Sequence, residues 1–357
     1  MKLFCPGPVM ISDKVKTAMI NTTIGHRSRD FETIFNRIKA NILKISNAPS
    51  SYETVILSSS GSSANEAVIA SLFNKNDKIL ILSNGSFGER IAKMMHNYCL
   101  DFHVIKNNWG EPFDITKLST HLKTHHYDYL FVSHDETSSG LLNPIDKIGT
   151  LCKTHDINMF VDCVSSFISD EVNIIEQNIA IMTGVSGKAI GAIPGASFIV
   201  MKKDLFEKTL ENNICSSYLN IANYYKFSQE KSQTPNTPNI TSFIALDIAL
   251  IECINDNKQK RYITCSNYLR DEFEAMNIQF LIDRSLMSNT VTTIILPKHF
   301  SAQTVYDMLY NKGYTTYLTR GVFQDKNCLQ ICVMGEIYLE DCIEFIKEFK
   351  NIINSNN

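Results

Sequence analysis

Between residues 50 and 200 the chain alternates short apolar runs with amphipathic stretches. The runs are 54-TVILS-58, 78-KILILS-83, 102-FHVI-105, 128-DYLFVS-133, 158-NMFVDC-163, 178-NIAIMTG-184 and 196-ASFIVM-201. Most are apolar at successive positions rather than at every second one, which is the pattern of strands buried on both faces. The intervening segments, such as 62-SSANEAVIASLF-73 and 86-SFGERIAKMMHNYC-99, repeat apolar positions at helical spacing. Strands of this kind separated by helices predict an α/β fold with a mainly parallel, seven-stranded sheet. Farther on, 228-SQEKSQTPNTPNI-240 is polar and proline-containing and reads as a loop. The run 240-ITSFIALDIALIECI-254 opens a helix that the pattern carries on through 270. Residues 275–357 alternate again, with strands at 291-VTTIILP-297 and 328-CLQICV-333 and helices at 302–312 and 338–353. The expected organisation is a large domain over 1–250, including the N-terminal segment, and a smaller C-terminal α+β domain over 251–357.

Composition narrows the function classes. Of 357 residues, 44% are hydrophobic and 20% charged, enough for substantial cores. A net charge of −3 without long charge runs gives no footing for nucleic acid or an anionic membrane. No apolar stretch approaches the length of a membrane span, and MKLFCPGPVM is too short in apolar length to be a signal peptide. The ten cysteines (5, 99, 152, 163, 215, 253, 265, 328, 332 and 342) include no C-x-x-C pair. Cys328 and Cys332 fall in a strand-like run, so no metal site is expected, and scattered thiols predict a reducing, cytoplasmic setting.

One stretch poses a chemical question. In 181-IMTGVSGKAIGAIPGASFIV-200 the only charge is Lys188, and burying an ammonium is costly unless it is paired or neutralised. Sites in parallel sheets form at the carboxyl ends of strands, and four such loops surround the question. The Ser/Gly turn 58-SSSGSSANEA-67 can hold an anion at a helix start, or be a plain N-cap with spare serines. Phe87 in 83-SNGSFGER-90 can stack on a planar ligand, or belong to the core. The third loop, 133-SHDETSSGLLNP-144, is polar and closed by an Asn-Pro turn. In 160-FVDCVSSF-167, Asp162 ends an apolar strand and can cap a helix or pair with a cationic ring nitrogen. Pyridoxal phosphate would satisfy all of these features. An imine removes the lysine's charge, a phosphate suits the Ser/Gly turn, a ring suits Phe87 and a pyridinium suits Asp162. Lys188, once released, would be the proton shuttle. Gly187, Gly191 and Gly195 would let the backbone approach the cofactor.

These motifs, in order, resemble the class V aminotransferases of pyridoxal-phosphate fold type I. The likeness covers nearly the whole chain: 6-PGPV-9, 25-GHRSRDF-31, 84-NGSFGER-90, 136-ETSSGLLNPI-145, 161-VDCVSSF-167, 188-KAIGAIPG-195 and 335-GEIY-338. It leans toward the 2-aminoethylphosphonate–pyruvate branch, with the alanine–glyoxylate (serine–pyruvate) branch next. The resemblance implies that Lys188 is the Schiff-base lysine and Asp162 the partner of the pyridine nitrogen. It further implies Phe87 as the stacking residue, and Ser60, Gly61 and Ser62 as the phosphate cup. Thr137 would bond the cofactor's phenolic oxygen, and Val164 would pack beneath the ring. It also implies a homodimer with active sites at the subunit interface, Thr237 reaching the partner's phosphate. The implied reaction moves an amino group from a small amine or amino acid to pyruvate or a related keto acid.

Two positions depart from the family pattern. Gly187 stands where Asn or Gln precedes the lysine, and Gln330 where an Arg grips the substrate's acidic group. An amide cannot make the charged, bidentate fork of a guanidinium. Arg320, Arg27 or Arg29 could supply the charge, and Pro6 and Gly7 are expected near the substrate. Lyase chemistry on the same scaffold, or a binding role without catalysis, are the rival readings.

Overall fold

The computed structural model describes residues 1–355 except 213 and 215. Cys215 therefore lies outside the described residues, and the other nine cysteines form no disulfide. The main sheet contains β1 (Tyr52–Leu57), β2 (Ile79–Ser83), β3 (Phe102–Lys106), β4 (Tyr129–Ser133), β5 (Asn158–Asp162), β6 (Ile179–Val185) and β7 (Ser197–Lys202). Their spatial order is β1-β7-β6-β5-β4-β2-β3. Only β7 runs antiparallel to its neighbours. The reason is the connection. Residues 186–196 join β6 to β7 without a helix, and a parallel return would need a crossover of about a dozen residues or more.

Successive residues of the strands feed opposite cores. Leu80, Leu130, Val132, Val161 and Met182 face one side, packed with Phe31, Phe35 and Phe243. Ile79, Ile81, Phe131, Phe160 and Ile181 face the other, against Ala64, Val68 and Leu72 of helix Gly61–Leu72. A second, antiparallel sheet orders β8 (Gln279–Phe280), β9 (Val291–Ile295), β11 (Cys328–Cys332) and β10 (Tyr317–Leu318) side by side. Its core includes Phe4, whose ring stacks on Phe345 at 4.6 Å, and the preceding Lys2–Leu3 pairs with Tyr314–Thr315. The N-terminal strand thus belongs physically with the smaller sheet, and the chain then passes Lys188 at Gly7.

Three sequence expectations change. Residues 228–231 are not loop: helix Ile221–Lys231 ends only at Ser232, in the left-handed conformation at φ +52°. The long helix is two, Ile240–Asn255 and Lys258–Ala275. The Asn-Asp-Asn run breaks it because Asn257 accepts from the Lys260 N–H and starts a new helix, a local bond that competes with the continuous one. Helices Asp13–Asn21 and Arg29–Ile45, left unassigned by the pattern, clamp Ile240–Asn255 from outside. No helix among the described residues is long and apolar enough to cross a membrane.

Candidate active site

The sheet brings two of the predicted residues to one end. Asp162 is the last residue of β5 and lies level with Thr183 of β6, five residues before Lys188. The β6–β7 loop folds on itself: Gly191 N–H donates to the Lys188 carbonyl (2.9 Å) and Ser186 Oγ to that of Ile193 (2.6 Å). Gly191 and Gly195 take φ of +83° and +126°, and a Cβ on Gly195 would sit 2.4 Å from Ser242 Oγ. These glycines serve the loop's own turn, and Gly195 also its packing on helix Ile240–Asn255. The loop sets Lys188 against Gly7 of the N-terminal segment, its side chain crowded yet partly accessible. Burial lowers the affinity of Lys188 for its proton, against the opposing pull of Cys332, Asp135, Cys5 and Asp162. Its Nζ makes no hydrogen bond among the described residues.

Asp162 is fixed by two bonds. Its Oδ1 accepts the Val164 N–H at 2.9 Å, and its Oδ2 accepts Asn65 Nδ2 at 2.7 Å. Asn65 is held in turn by Thr183 Oγ1, which donates to its carbonyl at 2.6 Å. Burial nevertheless raises the carboxyl above its ordinary range, the Val164 and Asn65 bonds offsetting part of that. A cation placed beside it would reverse the balance.

The start of helix Gly61–Leu72 forms the other wall. Ser60 is its N-cap, and its Oγ accepts the Ser63 N–H at 3.4 Å. A Cβ on Gly61 would lie 2.5 Å from Val164, so the helix terminus and the residue after Asp162 are in close contact. Ser62 Oγ accepts from Arg90 Nη1 at 3.0 Å, and the Arg90 guanidinium lies 4.7 Å over the half-buried Phe87 ring. Helix dipole, hydroxyls and Arg90 together give this wall a positive, donor-rich face of the kind that suits an anion. Below it, the buried Glu136 carboxylate accepts the Phe87 and Gly88 N–H groups (3.2 and 3.4 Å) and the Ser138 hydroxyl, fixing the start of helix Ser86–Asn97.

Thr137 donates to Ser165 Oγ at 2.7 Å. Its carbonyl accepts Gln330 Nε2 at 2.8 Å, and the same nitrogen donates to Thr293 Oγ1 at 3.1 Å. Gln330 thus ties the smaller sheet to the hairpin that follows β4: its amide hydrogens are committed, leaving only its carbonyl oxygen for other contacts. Gly7 lies against Lys188, since a Cβ there would be 3.3 Å from Lys188 Cδ and Cε; Tyr317 holds the segment by donating to the Gly7 carbonyl at 2.8 Å. Pro6 beside it is buried. Arg320 is exposed and lines an outer groove with Tyr306, Thr316 and Asp325. Arg27 is committed to Gln233 Oε1 and the carbonyls of Thr234 and Pro235, and Arg29 is exposed on the first turn of its helix. Thr237 is exposed, 3.4 Å from His26 Nε2.

Asn65, Arg90, Ser165 and Asp135 were not singled out from the sequence. Asn65 and Arg90 stood inside quoted motifs, at helical spacing from Gly61 and Phe87, but their partners lie far away in the chain.

A mainly parallel sheet brings a lysine and a buried carboxylate to its carboxyl end, beside a serine-rich helix start able to hold an anion. The chain belongs to the class V aminotransferases, whose family model matches residues 12–313. An uncharacterized aminotransferase of Methanocaldococcus jannaschii is 30% identical over 315 residues, spanning 87% of this chain and 81% of the relative. A 2-aminoethylphosphonate–pyruvate transaminase of Lysinibacillus sphaericus is 26% identical, covering 100% of this chain and 99% of its own. The crystal structure of an alanine–glyoxylate aminotransferase from Nostoc sp. superposes with a TM-score of 0.92 at 25% identity, covering 98% of this chain and 94% of that one. The fold is that of the type I aminotransferases, and the chain is a pyridoxal-phosphate-dependent aminotransferase acting on small amine and keto-acid substrates.

Proposed function

We propose that this enzyme moves the amino group of a small amine or amino acid to pyruvate or a related keto acid, with Lys188 as the lysine that carries the cofactor. The amino donor is of the 2-aminoethylphosphonate kind, the name carried by the Lysinibacillus relative; an alanine or serine donor with glyoxylate or pyruvate is the second reading, from the Nostoc structure. The observation that carries the proposal is Lys188, without a hydrogen-bond partner, opposite an Asp162 fixed by Asn65 and the Val164 N–H.

The residues present fit pyridoxal phosphate. Ser60, Gly61, Ser62 and Arg90 would hold its phosphate and Phe87 would cover its ring. Val164 would lie beneath the ring, Asp162 would face its nitrogen and Thr137 its phenolic oxygen. When bound, the cofactor supplies an electron sink for the substrate carbon that loses a proton. Lys188 takes that proton on Nζ and returns it, a task suited to an amine whose proton affinity burial has lowered. Pro6 and Gly7 wall the substrate side. Tyr317 holds that wall through the Gly7 carbonyl, and Gln330 offers the substrate an acceptor rather than a charged fork, with Arg320, on the outer groove, the candidate for a charged grip on the acidic end. We further propose a homodimer in which Thr237 completes the partner's phosphate site, a division into domains near residue 250, and a cytoplasmic setting.

The test is the visible spectrum of the purified protein, repeated with 2-aminoethylphosphonate, alanine and serine. The expected result is a yellow protein bleached by one of these amines, with Lys188→Ala colourless from the start. A yellow protein indifferent to all of them sinks the substrate assignment, and one still yellow as Lys188→Ala sinks the lysine assignment.

A further inference from the structure

Asp135 is the acid that the reaction as described leaves unused. It begins the short hairpin in which Asp135–Glu136 pairs with Leu141–Leu142, immediately beyond the end of β4. The preceding His134 N–H donates to the Asp162 carbonyl at 3.0 Å, so Asp135 stands just past the carboxylate end of the site. The side chain is buried at 4% exposure, and neither carboxylate oxygen meets a donor at full hydrogen-bond geometry among the described residues; the Ser288 hydroxyl comes near enough to draw the carboxyl down in part. Glu136, its neighbour, is the opposite case, with its oxygens accepting N–H groups and a hydroxyl at a helix start.

The surroundings of Asp135 come from both sheets. Lys188 and Cys332 lie within its electrostatic reach on one side. On the other are Asp170, Glu136 and the buried Arg270, with the Ser288 hydroxyl nearby. The Arg270 guanidinium is already spent on Thr292 Oγ1 and the Ser288 and Val291 carbonyls. Asp170 is spent on the Asn289 N–H and the Ser169 hydroxyl. Lys188 is the only cation in this group whose charged atom has no hydrogen-bond partner among the described residues. A buried carboxyl left without a partner weakens a fold, and such residues concentrate where function requires them.

We propose that Asp135 is a positioning residue for Lys188: its carboxyl, held without a hydrogen-bond partner in the wall between the two sheets, is the counter-charge that lets the lysine nitrogen keep or release its proton. The pair works through two states that differ by one proton. In one, the lysine nitrogen has its free electron pair beside the Asp135 carboxylate and can take a proton from the substrate. In the other, Lys188 is an ammonium facing that carboxylate and holds the proton until it is returned. Burial and the charges of Asp170 and Glu136 favour the neutral acid, and the ammonium favours the carboxylate. This inference rests on Lys188 being the cofactor-bearing lysine proposed above.

The test uses the full-length protein loaded with pyridoxal phosphate and has two readouts that do not depend on turnover. Cyanoborohydride reduction followed by peptide mass spectrometry locates the modified lysine. A pH titration of the visible band then compares wild type with Asp135→Asn and Asp135→Ser. Removing the counter-charge should move the midpoint of the band change to lower pH by about one unit, while the melting temperature at neutral pH stays the same or rises. Modification at Lys188 with an unmoved midpoint in both variants overturns the role of Asp135 and leaves the proposed function standing. Modification at another lysine overturns the reading beneath it.

Discussion

At the scale of single residues, the site depends on second partners that only the fold supplies. Asp162 could be suspected from its place at the end of an apolar run, but its orientation is set by Asn65, 97 positions away, and by Thr183 behind it. Replacing Asn65 by Leu removes a donor to a buried carboxylate and strands the Thr183 hydroxyl. Such losses cost about 1–3 kcal/mol. The variant should therefore hold pyridoxal phosphate roughly 5- to 150-fold more weakly if that loss is felt in the bound state, measured by equilibrium dialysis, with a smaller fall in the urea midpoint. Unchanged cofactor affinity would mean that Asp162 does not depend on Asn65. Gln330 makes a related point. The sequence placed it where a charged grip was expected, and the structure commits its amide hydrogens to the Thr137 carbonyl and the Thr293 hydroxyl.

At the scale of elements, the contact between helix Gly61–Leu72 and the loop after β5 shapes the helix start proposed to hold the cofactor's phosphate. Gly61 has no room for a Cβ because Val164 would stand 2.5 Å from it. Gly61→Ala should destabilise the fold by about 1–3 kcal/mol through overpacking, and Val164→Ala in the same chain should recover most of that loss. A double variant no better than Gly61→Ala would show that the strain lies elsewhere. The strands themselves were legible because each side of the main sheet meets a core, so the apolar signal is continuous. The first two helices were not assigned. They lie over Ile240–Asn255 with exposed polar faces, and their apolar stripes have to be matched to a partner some 200 residues on before they mean a packed element.

At the scale of the whole molecule, the contact between the two sheets is charged as well as apolar. Asp170 sits in the loop after β5, and burial raises its carboxyl to about 6 from 3.8, with the Asn289 N–H and the Ser169 hydroxyl offsetting part of the effect. The folded state therefore holds this proton more tightly than the unfolded chain. The associated stability is fully present below the unfolded value of 3.8 and is lost as pH rises toward 6. A shift of that size corresponds to on the order of 2–3 kcal/mol. Urea unfolding across that pH window should show wild type losing stability relative to Asp170→Asn as pH increases, and parallel profiles would contradict this. Asp135, whose carboxyl burial also raises well above its ordinary range, should add to the wild-type decline.

The sequence by itself determined the strand and helix alternation, the α/β class, the cofactor and the identity of its lysine and carboxylate candidates. Each of these is written in local terms: apolar runs, a helix start rich in Ser and Gly, and a lone charge among small residues. The tertiary structure decided what Gln330 does, which groups hold Asp162, and that an unpartnered Asp135 stands near Lys188. Those facts depend on contacts between residues distant along the chain, where the register of β5 against β6 and the packing of one sheet on the other choose the neighbours. No local pattern encodes that choice, because burial and pairing belong to the assembled core rather than to any one segment.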